Sequence, residues 1–412
     1  MRSNYKKLGK YIQQINKRNT DLNIDRLLGV SINKVLMPSI ANTVGTNMKT
    51  YKIIQKNQFA YGPVTSRNGD KISIALLQEY DEAILSQAYT VFEVIDETEL
   101  HPKYLMMWFR RPEFDRYARF KSHGSARETF DWDELCEVEL PIPSIEKQRE
   151  IVKEYNTVVN RIKLNEQLNQ KLEETAQALY KHWFVDFEFP ADLSGTLSGA
   201  EGYKSSGGAM VYNEELDKEI PEGWEVNGLS TIADYLNGAA MQKYPANSLF
   251  EYIPVLKIRE LNLGVTDDKS DKASKDIPKK YKIYNGDIIF SWSGTLTIDI
   301  WTGGYAGLNQ HLFKVSSYNF PKWYYYLATK YYIEEFIRIA EGNKTSMGHI
   351  KREHLDNAIV AYPKNLDSYN NSFESIIKRI ETNKLKNNKL SDLKDLLLSK
   401  MTKVEQEKEV VI

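Results

Sequence analysis

The stretch from Ser144 to Trp183 reads SIEKQREIVKEYNTVVNRIKLNEQLNQKLEETAQALYKHW. Its apolar residues recur every three or four positions, the spacing of one face of a helix, and no Gly or Pro interrupts it. The seam consists of Ile151, Tyr155, Val158 and Ile162, then Leu168, Leu172, Thr175 and Leu179, with Asn165 between the two runs. At 1.5 Å per residue such a helix is roughly 60 Å long, so it needs a partner for its apolar face.

The partner lies in the same chain, at a shift of 218 residues that carries Ile151 onto Tyr369. The second seam consists of Tyr369, Phe373, Ile376, Ile380, Asn383, Leu390, Leu393 and Leu397. Lys386, where the first seam has Leu168, is the one mismatch. The sequence therefore predicts two long helices that pack antiparallel as a coiled coil.

Both seams carry an asparagine at the same position, Asn165 and Asn383, near the middle of each helix. A polar seam residue lowers stability but fixes register and orientation, so we predict that these two residues set the register of the pair. The alternative is that both side chains face solvent.

Composition bounds the class of protein. A chain of 412 residues with 42% hydrophobic content is expected to form two or more domains. It has no apolar run of ~18 residues, and MRSNYKKLGKY lacks the apolar part of a signal peptide, so we expect a soluble, cytoplasmic protein with no membrane partner. The single cysteine, Cys136, excludes an internal disulfide and a thiolate-rich zinc site. His349 and His354 form the only close histidine pair, with no Cys or carboxylate to complete a metal site.

The net charge of −1 conceals local excesses of positive charge. Residues 1–20 contain six Lys or Arg and no acid, and residues 103–127 contain seven Lys or Arg against Glu113 and Asp115. Such faces can follow a phosphate backbone. Solvated helix faces would give a similar count.

Turn signals and composition divide the chain into an α+β pattern of alternating globules and helices. We predict mixed α/β globular domains at 1–143 and 223–363, long spacer helices at 144–190 and 364–403, a Gly/Ser-rich linker at 191–222, and a charged tail at 404–412. The second globule repeats landmarks of the first: Tyr51-Lys52-Ile53 recurs as Tyr281-Lys282-Ile283, and Pro102-Lys103-Tyr104 as Pro321-Lys322-Trp323. Internal duplication with a pseudo-two-fold axis follows.

Several segments together resemble the specificity subunits of type I restriction-modification systems. They are LPIPSIEKQREIV at 140–152, ALYKHWFVDF at 178–187, GYKSSGGAMV at 202–211 and IPEGW at 220–224. The resemblance spans nearly the whole chain. The second helix departs from it, because AYPKNLDSYNNSF lacks the pattern of Glu146-Lys147-Gln148.

The resemblance implies that each globule is a target recognition domain that reads half of a bipartite double-stranded DNA target, with the helices as a ruler between them. It further implies docking of two methyltransferase subunits and of restriction/motor subunits. S-adenosylmethionine would belong to the methyltransferase partner, and ATP and Mg to the motor/nuclease partner. This chain would hold no cofactor.

The residues themselves also indicate a non-catalytic chain. It has no phosphate-binding G-x-x-x-x-G-K-[ST] loop, no G-x-G-x-x-G motif after a strand, and no acidic cluster of a two-metal nuclease. Trp292, Trp301 and Tyr305 have rings that could stack on bases; the alternative for them is a place in the core.

Polar loops supply the candidate DNA-binding residues, because Arg and Lys suit guanine and phosphate while Asn and Gln suit adenine. In the first globule they are Thr46, Asn47 and Lys49 beside Gly45, Arg67 and Asn68 in a turn, and Ser122, His123, Ser125 and Arg127 after the helix. In the second they are Gln242, Lys243, Lys257, Arg259, Ser293, Thr295, Gln310, Asn343, Lys344 and Ser346. The alternative for each residue is a solvated loop position.

Two other functions remain open on the sequence alone. A specificity component of a system whose partner fuses methylation with cleavage would need the same domains. A coiled-coil scaffold whose globules bind proteins is the alternative from another class, and a DNA-shift assay with and without a methyltransferase partner separates it from the first reading.

Overall fold

The computed structural model describes residues 5–40, 45–66, 68–124, 127–188, 209–248, 250–342 and 348–403. The chain divides into two compact units, Met1–Arg161 with Leu390–Ile412, and Ile162–Lys389. We call them unit 1 and unit 2. Both combine helices with mostly antiparallel sheets, so the fold class is α+β.

The described residues of unit 1 form ten strands and three short α-helices before the first long helix begins. The strands are β1 Tyr5–Lys7, β2 Ile12–Ile15, β3 Leu27–Val30, β4 Leu36–Pro38, β5 Lys52–Gln55, β6 Phe59–Tyr61, β7 Ile74–Leu76, β8 Glu82–Leu85, β9 Thr90–Val94 and β10 Glu139–Pro141. The helices are α1 Pro102–Phe109, α2 Pro112–Phe120, α3 Trp132–Cys136 and the long α4, Ile145–Tyr180. Pro102 opens α1, where its missing N–H costs no hydrogen bond.

The strands of unit 1 form two four-stranded sheets and one two-stranded sheet. One four-stranded sheet has the order β2-β9-β6-β7 and is antiparallel throughout. The other has the order β4-β3-β8-β5, in which only β3 and β8 run parallel. β1 pairs with β10, which brings the start of the chain to the segment that leads into α4.

Aromatic side chains fill the core of unit 1. The rings of Phe59 and Phe92 stack with centroids 4.8 Å apart, and Phe109 meets Phe59 edge-on at 5.8 Å. Tyr104 is fully buried and donates its hydroxyl hydrogen to the carbonyl of Pro141 at 3.0 Å. Helix α1 is thereby fixed against β10 by both packing and a hydrogen bond.

Gln148 ties the start of α4 to unit 1. Its side chain is fully buried; its amide oxygen accepts from the His101 N–H at 2.8 Å, and its amide nitrogen donates to the carbonyls of Glu99 and Pro143 at 2.8 and 2.9 Å. This is the physical role of the Gln in the Glu146-Lys147-Gln148 pattern. The 218-residue shift places Leu366 at this position in the second copy, and Leu366 is buried as well.

Unit 2 repeats this plan after a hairpin of its own. The hairpin is β11 Met210–Asn213 and β12 Lys218–Pro221, and the later strands are β13 Glu225–Gly228, β14 Asp234–Asn237, β15 Ile253–Leu256, β16 Lys272–Ala273, β17 Lys282–Ile283, β18 Ile288–Ser291, β19 Thr297–Ile300, β20 Ala306–Leu308, β21 Leu312–Ser316 and β22 Ile359–Tyr362. The helices are α5 Leu229–Ile232, α6 Ile258–Leu263, α7 Lys322–Tyr331, α8 Ile333–Gly342, α9 Arg352–Asn357 and the long α10, Asp367–Lys400.

The sheets of unit 2 match those of unit 1 strand for strand. The antiparallel sheet has the order β14-β21-β18-β19, and the mixed sheet has the order β16-β15-β20-β17 with one parallel pair, β15 and β20. β13 pairs with β22 as β1 does with β10. Tyr324 donates to the carbonyl of Ala361 at 3.1 Å, the counterpart of the Tyr104 bond to Pro141. The two units thus share one topology.

The segment between the units differs in part from the predicted linker at 191–222. Residues 189–208 lie outside the described part of the chain. Residues 210–221, however, form the β11–β12 hairpin, which packs on unit 2 through a small apolar cluster that includes Phe187, Ile220 and Ala361. The Gly- and Ser-rich composition of residues 191–208 led the linker prediction to extend over this hairpin, whose strands, MVYN and KEIP, do not alternate polar and apolar residues.

Within unit 2, the two long helices pair through four asparagines. Asn165 donates to Asn387 at 2.7 Å, and Asn383 donates to Asn169 at 2.8 Å. Partner numbers fall in α10 as they rise in α4, so these segments run in opposite directions. Asn165 and Asn383 are 3% and 1% exposed, and neither faces solvent. Each is bonded to an asparagine four positions along the other helix, which the apolar periodicity did not reveal.

The observed seam departs from the predicted one at its outer positions. Thr175 is exposed and Leu393 is 41% exposed, whereas Ala176 is fully buried in the core of unit 2. In unit 1, Leu398 and Met401 share the core with Val152 and Tyr155 of α4. Positions that repeat strictly every seven residues drift around a straight helix. The buried stripe therefore passes from the predicted positions to adjacent ones toward the helix ends.

Candidate nucleic-acid interface

In unit 1, two of the predicted polar loops lie against each other. The loop after β6 (residues 62–71) and the loop after α2 (residues 121–129) together form what we call loop cluster 1. The Thr65 N–H donates to the Glu128 carbonyl at 2.9 Å, and the Thr65 hydroxyl bonds the Ser122 hydroxyl at 2.9 Å. His123 and Thr129 exchange two backbone hydrogen bonds at 3.0 and 2.8 Å. Residues separated by 57 and 63 positions in sequence therefore form one surface.

Gly124 makes the second of these loops possible. Its φ is +131°, and a Cβ at this position would lie 2.2 Å from the carbonyl oxygen of Arg127. Any other residue would strain the loop or push Arg127 away. The glycine thus sets the position of Arg127, which is exposed.

The predicted contact residues in loop cluster 1 differ in how available they are. His123 and Arg127 are exposed, and Asn68 uses its amide nitrogen to donate to the Val64 carbonyl at 3.2 Å. Ser122 donates to the Ala118 carbonyl at 2.7 Å, so its hydroxyl mainly holds the loop. Arg67 and Ser125, which were also predicted to contact DNA, lie outside the described residues.

Acidic neighbours neutralise some of the positive charge of residues 103–127. Arg119 forms an ion pair with Glu128, and Lys121 lies 3.3 Å from Glu134. The His123 ring is 3.6 Å from Glu134 as well. The raw count of basic residues therefore overstates the field that this face presents to a phosphate.

The loop at 45–49 is a separate polar surface of unit 1. Thr46, Asn47 and Lys49 are all exposed. The side-chain amide oxygen of Asn47 accepts from the Lys49 N–H at 3.1 Å and thereby caps a short 3-10 turn. Arg18 donates to the Thr50 carbonyl at the foot of this loop. Sequence reasoning missed Arg18 as an individual, although it noted the basic stretch at 1–20.

Unit 2 has a loop cluster in the equivalent place. We call the loop after β18 (residues 292–296) and the described residues that follow α8 (348–350) loop cluster 2. Gly294 donates to the Gly348 carbonyl at 3.1 Å, and Ile350 donates to the Trp292 carbonyl at 3.1 Å. β18 corresponds to β6, and α8 to α2. The predicted contact residues Asn343, Lys344 and Ser346 lie outside the described residues.

Side chains around loop cluster 2 show which candidates are structural. Ser293 is 5% exposed, and its hydroxyl lies 3.0 Å from Nδ1 of His311, so it braces the loop. Thr295 is exposed. Gln310 is half-buried, with its amide oxygen accepting from Asn309 at 2.7 Å.

The aromatic candidates divide in the same way. Trp301 is 1% exposed and donates to the Gly304 carbonyl at 2.7 Å, so it belongs to the core and cannot stack on a base. Trp292 is half-buried between His311 and His349. Tyr305 stacks on Tyr284 with centroids 5.2 Å apart, and both rings are partly exposed.

Two further candidate cations of unit 2, Lys257 and Arg259, are held by carboxylates. Lys257 pairs with Asp271, and Arg259 pairs with Asp267 and with Glu260 at 2.6 Å. The hydrogen bonds that Arg259 donates to Asp267 and Glu260 raise the pKa of Arg259, and the bond from Arg259 holds the pKa of Asp267 below its usual value. Gln242 and Lys243, on a short 3-10 turn, are exposed.

Taken together, the loops offer hydroxyl, amide and guanidinium groups, which can bond base edges and phosphate oxygens. In the part of the chain that the structure describes, no three His, Cys, Asp or Glu side chains are placed to hold a metal ion. None of the described helices combines the length and apolarity needed to cross a membrane.

Comparisons with known proteins agree with this picture. Residues 28–174 match the family model of the type I restriction modification DNA specificity domain. The MjaIX specificity subunit of Methanocaldococcus jannaschii is 27% identical over 319 residues, which are 75% of this chain and 70% of the relative. The HindI specificity subunit of Haemophilus influenzae is 23% identical over 420 residues, 90% of this chain and 91% of the relative.

A solved structure shares the fold. The type I restriction-modification S subunit from M. genitalium superimposes with a TM-score of 0.52 at 12% sequence identity, and the match covers 98% of this chain and 96% of that one. At this identity the likeness concerns the fold alone.

Proposed function

We propose that the chain reads a bipartite DNA target as the specificity subunit of a type I restriction-modification system. The proposal proceeds from the match of residues 28–174 to the DNA specificity domain of these systems, which confirms the resemblance. It is a specificity component and not an enzyme. In our proposal each unit's globule reads one half of the target.

The observation that carries the proposal is the repeated placement of the loop clusters. Both units have the same strand order, and in both a loop after the third strand of the antiparallel sheet is bonded to the loop after the second helix of a helix pair. The loop sequences differ between the two units, whereas the strands and helices that carry the loops correspond. One scaffold holding two different polar surfaces suits two half-sites of different sequence.

We infer that α4 and α10 form one antiparallel pair along their length, related by a pseudo-two-fold axis, and that the pair sets the spacing of the half-sites. Support comes from the hydrogen bonds of the asparagines: the bond from Asn165 to Asn387 and the bond from Asn383 to Asn169 exchange under the 218-residue shift. A single shifted register would break both bonds. Asn165 and Asn383 thus serve as register residues in this proposal.

Apolar residues that the helices leave exposed support docking of two methyltransferase subunits. Leu164 and Leu168 of α4 are 57% and 39% exposed, and Leu393 and Leu396 of α10 are 41% and 49% exposed. Protein partners cover such residues. The methyltransferases would bring S-adenosylmethionine, and the restriction/motor subunits would bring ATP and Mg.

DNA binding by the assembled complex tests the loop clusters. Arg127→Ala and Lys344→Ala should each weaken binding at fixed salt by roughly 5- to 150-fold if the residue contacts a base edge. If it contacts a phosphate, the loss is uniform across sequences, and the slope of log affinity against log salt becomes shallower by about 0.9. Lys400→Ala, an exposed cation at the end of α10, is the matched control. Unchanged affinity in both loop variants would contradict the assignment.

The ruler has its own test. Insertion of one helical turn within residues 160–175 should change the unread spacing between the half-sites and leave both half-sequences intact. Sequencing of methylated sites in cells that express the variant with its partners gives the result. A changed half-sequence with unchanged spacing would show that the helices do not measure distance.

A further inference from the structure

Unit 1 has an open cavity beside the end of α10, which we call the aromatic pocket. Its volume is about 660 Å³. The residues that line it come from β1, the α1–α2 junction, the approach to β10 and the turn after α10; they include Tyr5, Trp108, Arg111, Tyr117, Val138 and Thr402.

The corresponding place in unit 2 is nearly filled. There the end of α4, the α7–α8 junction and β22 enclose about 70 Å³, lined by residues that include Tyr180, Phe184, Tyr332 and Val360. The 218-residue shift carries Thr402 onto Phe184, and β22 is the counterpart of β10. The same three supports therefore build both sites, and the volumes differ about ninefold.

The difference arises from what covers the site in unit 2. The β11–β12 hairpin places Leu216 and Lys218 in its wall. The Lys218 ammonium donates to the Val185 carbonyl at 2.9 Å and lies 4.6 Å from the centre of the Phe187 ring. Among the described residues that line the aromatic pocket, none comes from a hairpin of this kind.

The lining of the aromatic pocket also shows that it is incomplete as it stands. Arg111 is 5% exposed and stacks 4.3 Å over the Trp108 ring, and its Nε has no hydrogen-bond acceptor. A buried donor without an acceptor is costly, and a guanidinium even more so. Three carboxylates, Glu113, Glu137 and Glu139, stand at the rim. Glu113 already pairs with Arg111 and Arg116, and Glu137 with Lys7, so an incoming cationic side chain would chiefly meet the exposed Glu139.

We propose that the aromatic pocket is the docking site for an extended segment of a partner protein that carries an aliphatic side chain and a lysine or arginine close together, as Leu216 and Lys218 do in unit 2. The aliphatic side chain fills the space beside Trp108 and Val138. The cation meets Glu139 at the rim, and a backbone carbonyl of the segment can serve the guanidinium. This surface is separate from the loop clusters and does not depend on DNA recognition.

The test uses the full chain and a fluorescent synthetic peptide with the sequence of residues 209–222, the segment that covers the equivalent site. We expect saturable binding by anisotropy. Thr402→Phe gives unit 1 the residue of unit 2 at that position and should weaken binding about tenfold or more, because the ring occupies the cavity. Ser399→Phe, exposed one turn earlier, is the matched control and should bind like the unaltered chain.

Charge provides a second arm, which does not depend on folding of the altered chain. A peptide in which the residue equivalent to Lys218 is glutamate should bind the unaltered chain several-fold more weakly, since its carboxylate would face the exposed Glu139 at the rim. Failure of the original peptide to bind, or equal binding by Thr402→Phe and the unaltered chain, would overturn the proposal. DNA affinity should be the same in Thr402→Phe and the unaltered chain, which separates this test from that of the proposed function.

Two other occupants give distinct results. If the chain self-associates in solution and Thr402→Phe abolishes this, the occupant is a second copy and not a partner. If removal of residues 404–412 tightens peptide binding about tenfold or more, the tail of the same chain is the occupant. Either result overturns the assignment to a partner protein.

Discussion

Replacement of Asn165 by leucine would test the asparagine contacts between the long helices. The side chain is 3% exposed and donates to Asn387 at 2.7 Å. Leucine removes the donor and leaves the side-chain amide oxygen of Asn387 facing an apolar group. Loss of such a bond with one partner left behind costs about 1–3 kcal/mol of the free energy of unfolding.

The double variant Asn165→Leu/Asn387→Leu should recover most of that loss. Removal of both partners leaves neither group unsatisfied, and a leucine pair adds apolar contact, so stability should return to within about 1 kcal/mol of the unaltered chain. Urea unfolding followed by far-UV circular dichroism measures the change. Asn160→Leu is the control: Asn160 is exposed on the same helix, and its replacement should change stability by less than about 0.5 kcal/mol.

Two outcomes would refute the reasoning. If Asn165→Leu costs no more than Asn160→Leu, the buried hydrogen bond contributes nothing. If the double variant loses the sum of the two single losses, the two asparagines act independently and the bond between them is not what stabilises the pair.

Three further predictions concern buried polar groups and one close backbone contact. Burial opposes ionisation of Glu173, but Lys330 and the Tyr326 hydroxyl outweigh it and hold its pKa below the usual value. The resulting stabilisation is present above pH ~4.3, the unfolded-state value, and is lost as pH falls through the folded-state pKa. The difference in free energy of unfolding between the unaltered chain and Glu173→Gln, measured by urea unfolding across pH, should therefore shrink on acidification. Lys34→Met should cost about 3–5 kcal/mol in the same assay, because it leaves Asp115, 2.7 Å away, buried without its cation. Gly228→Ala should lower the thermal midpoint, at a cost of about 1–3 kcal/mol, since a Cβ there would lie 2.2 Å from the Asp356 carbonyl oxygen; a variant that melts with the unaltered chain would contradict this.

Sequence periodicity predicted the existence of both long helices and of the repeat, because a seam of apolar residues over many turns has few other solutions. It placed the outer seam positions less well: Thr175 and Leu393 are exposed, since packing of a straight helix shifts the buried stripe. Asn169 and Asn387 escaped notice because they lie outside the apolar repeat. Their shared spacing from Asn165 and Asn383 was the signal that could have identified them.

The candidate interface was harder to predict than the helices. The sequence predicted polar loops. It could not show that Arg259 forms an ion pair with Asp267 or that Trp301 is buried, because both facts depend on residues that the fold brings together. It also could not show that residues 62–71 and 121–129 form one surface. The equivalence of the loops after α2 and α8 was accessible because the supporting helices repeat.

The contrast between Gln148 and Leu366 has a consequence for how firmly each globule is oriented on its helix. Three directional bonds at Gln148 fix both the distance and the angle at which α4 leaves unit 1. The side chain of Leu366 makes only non-directional apolar contacts, which tolerate small rotations. Slow amide hydrogen exchange at the origin of α4 and faster exchange at the origin of α10 would reveal this inequality, and the globule of unit 2 would then adapt its angle to bound DNA more readily than that of unit 1.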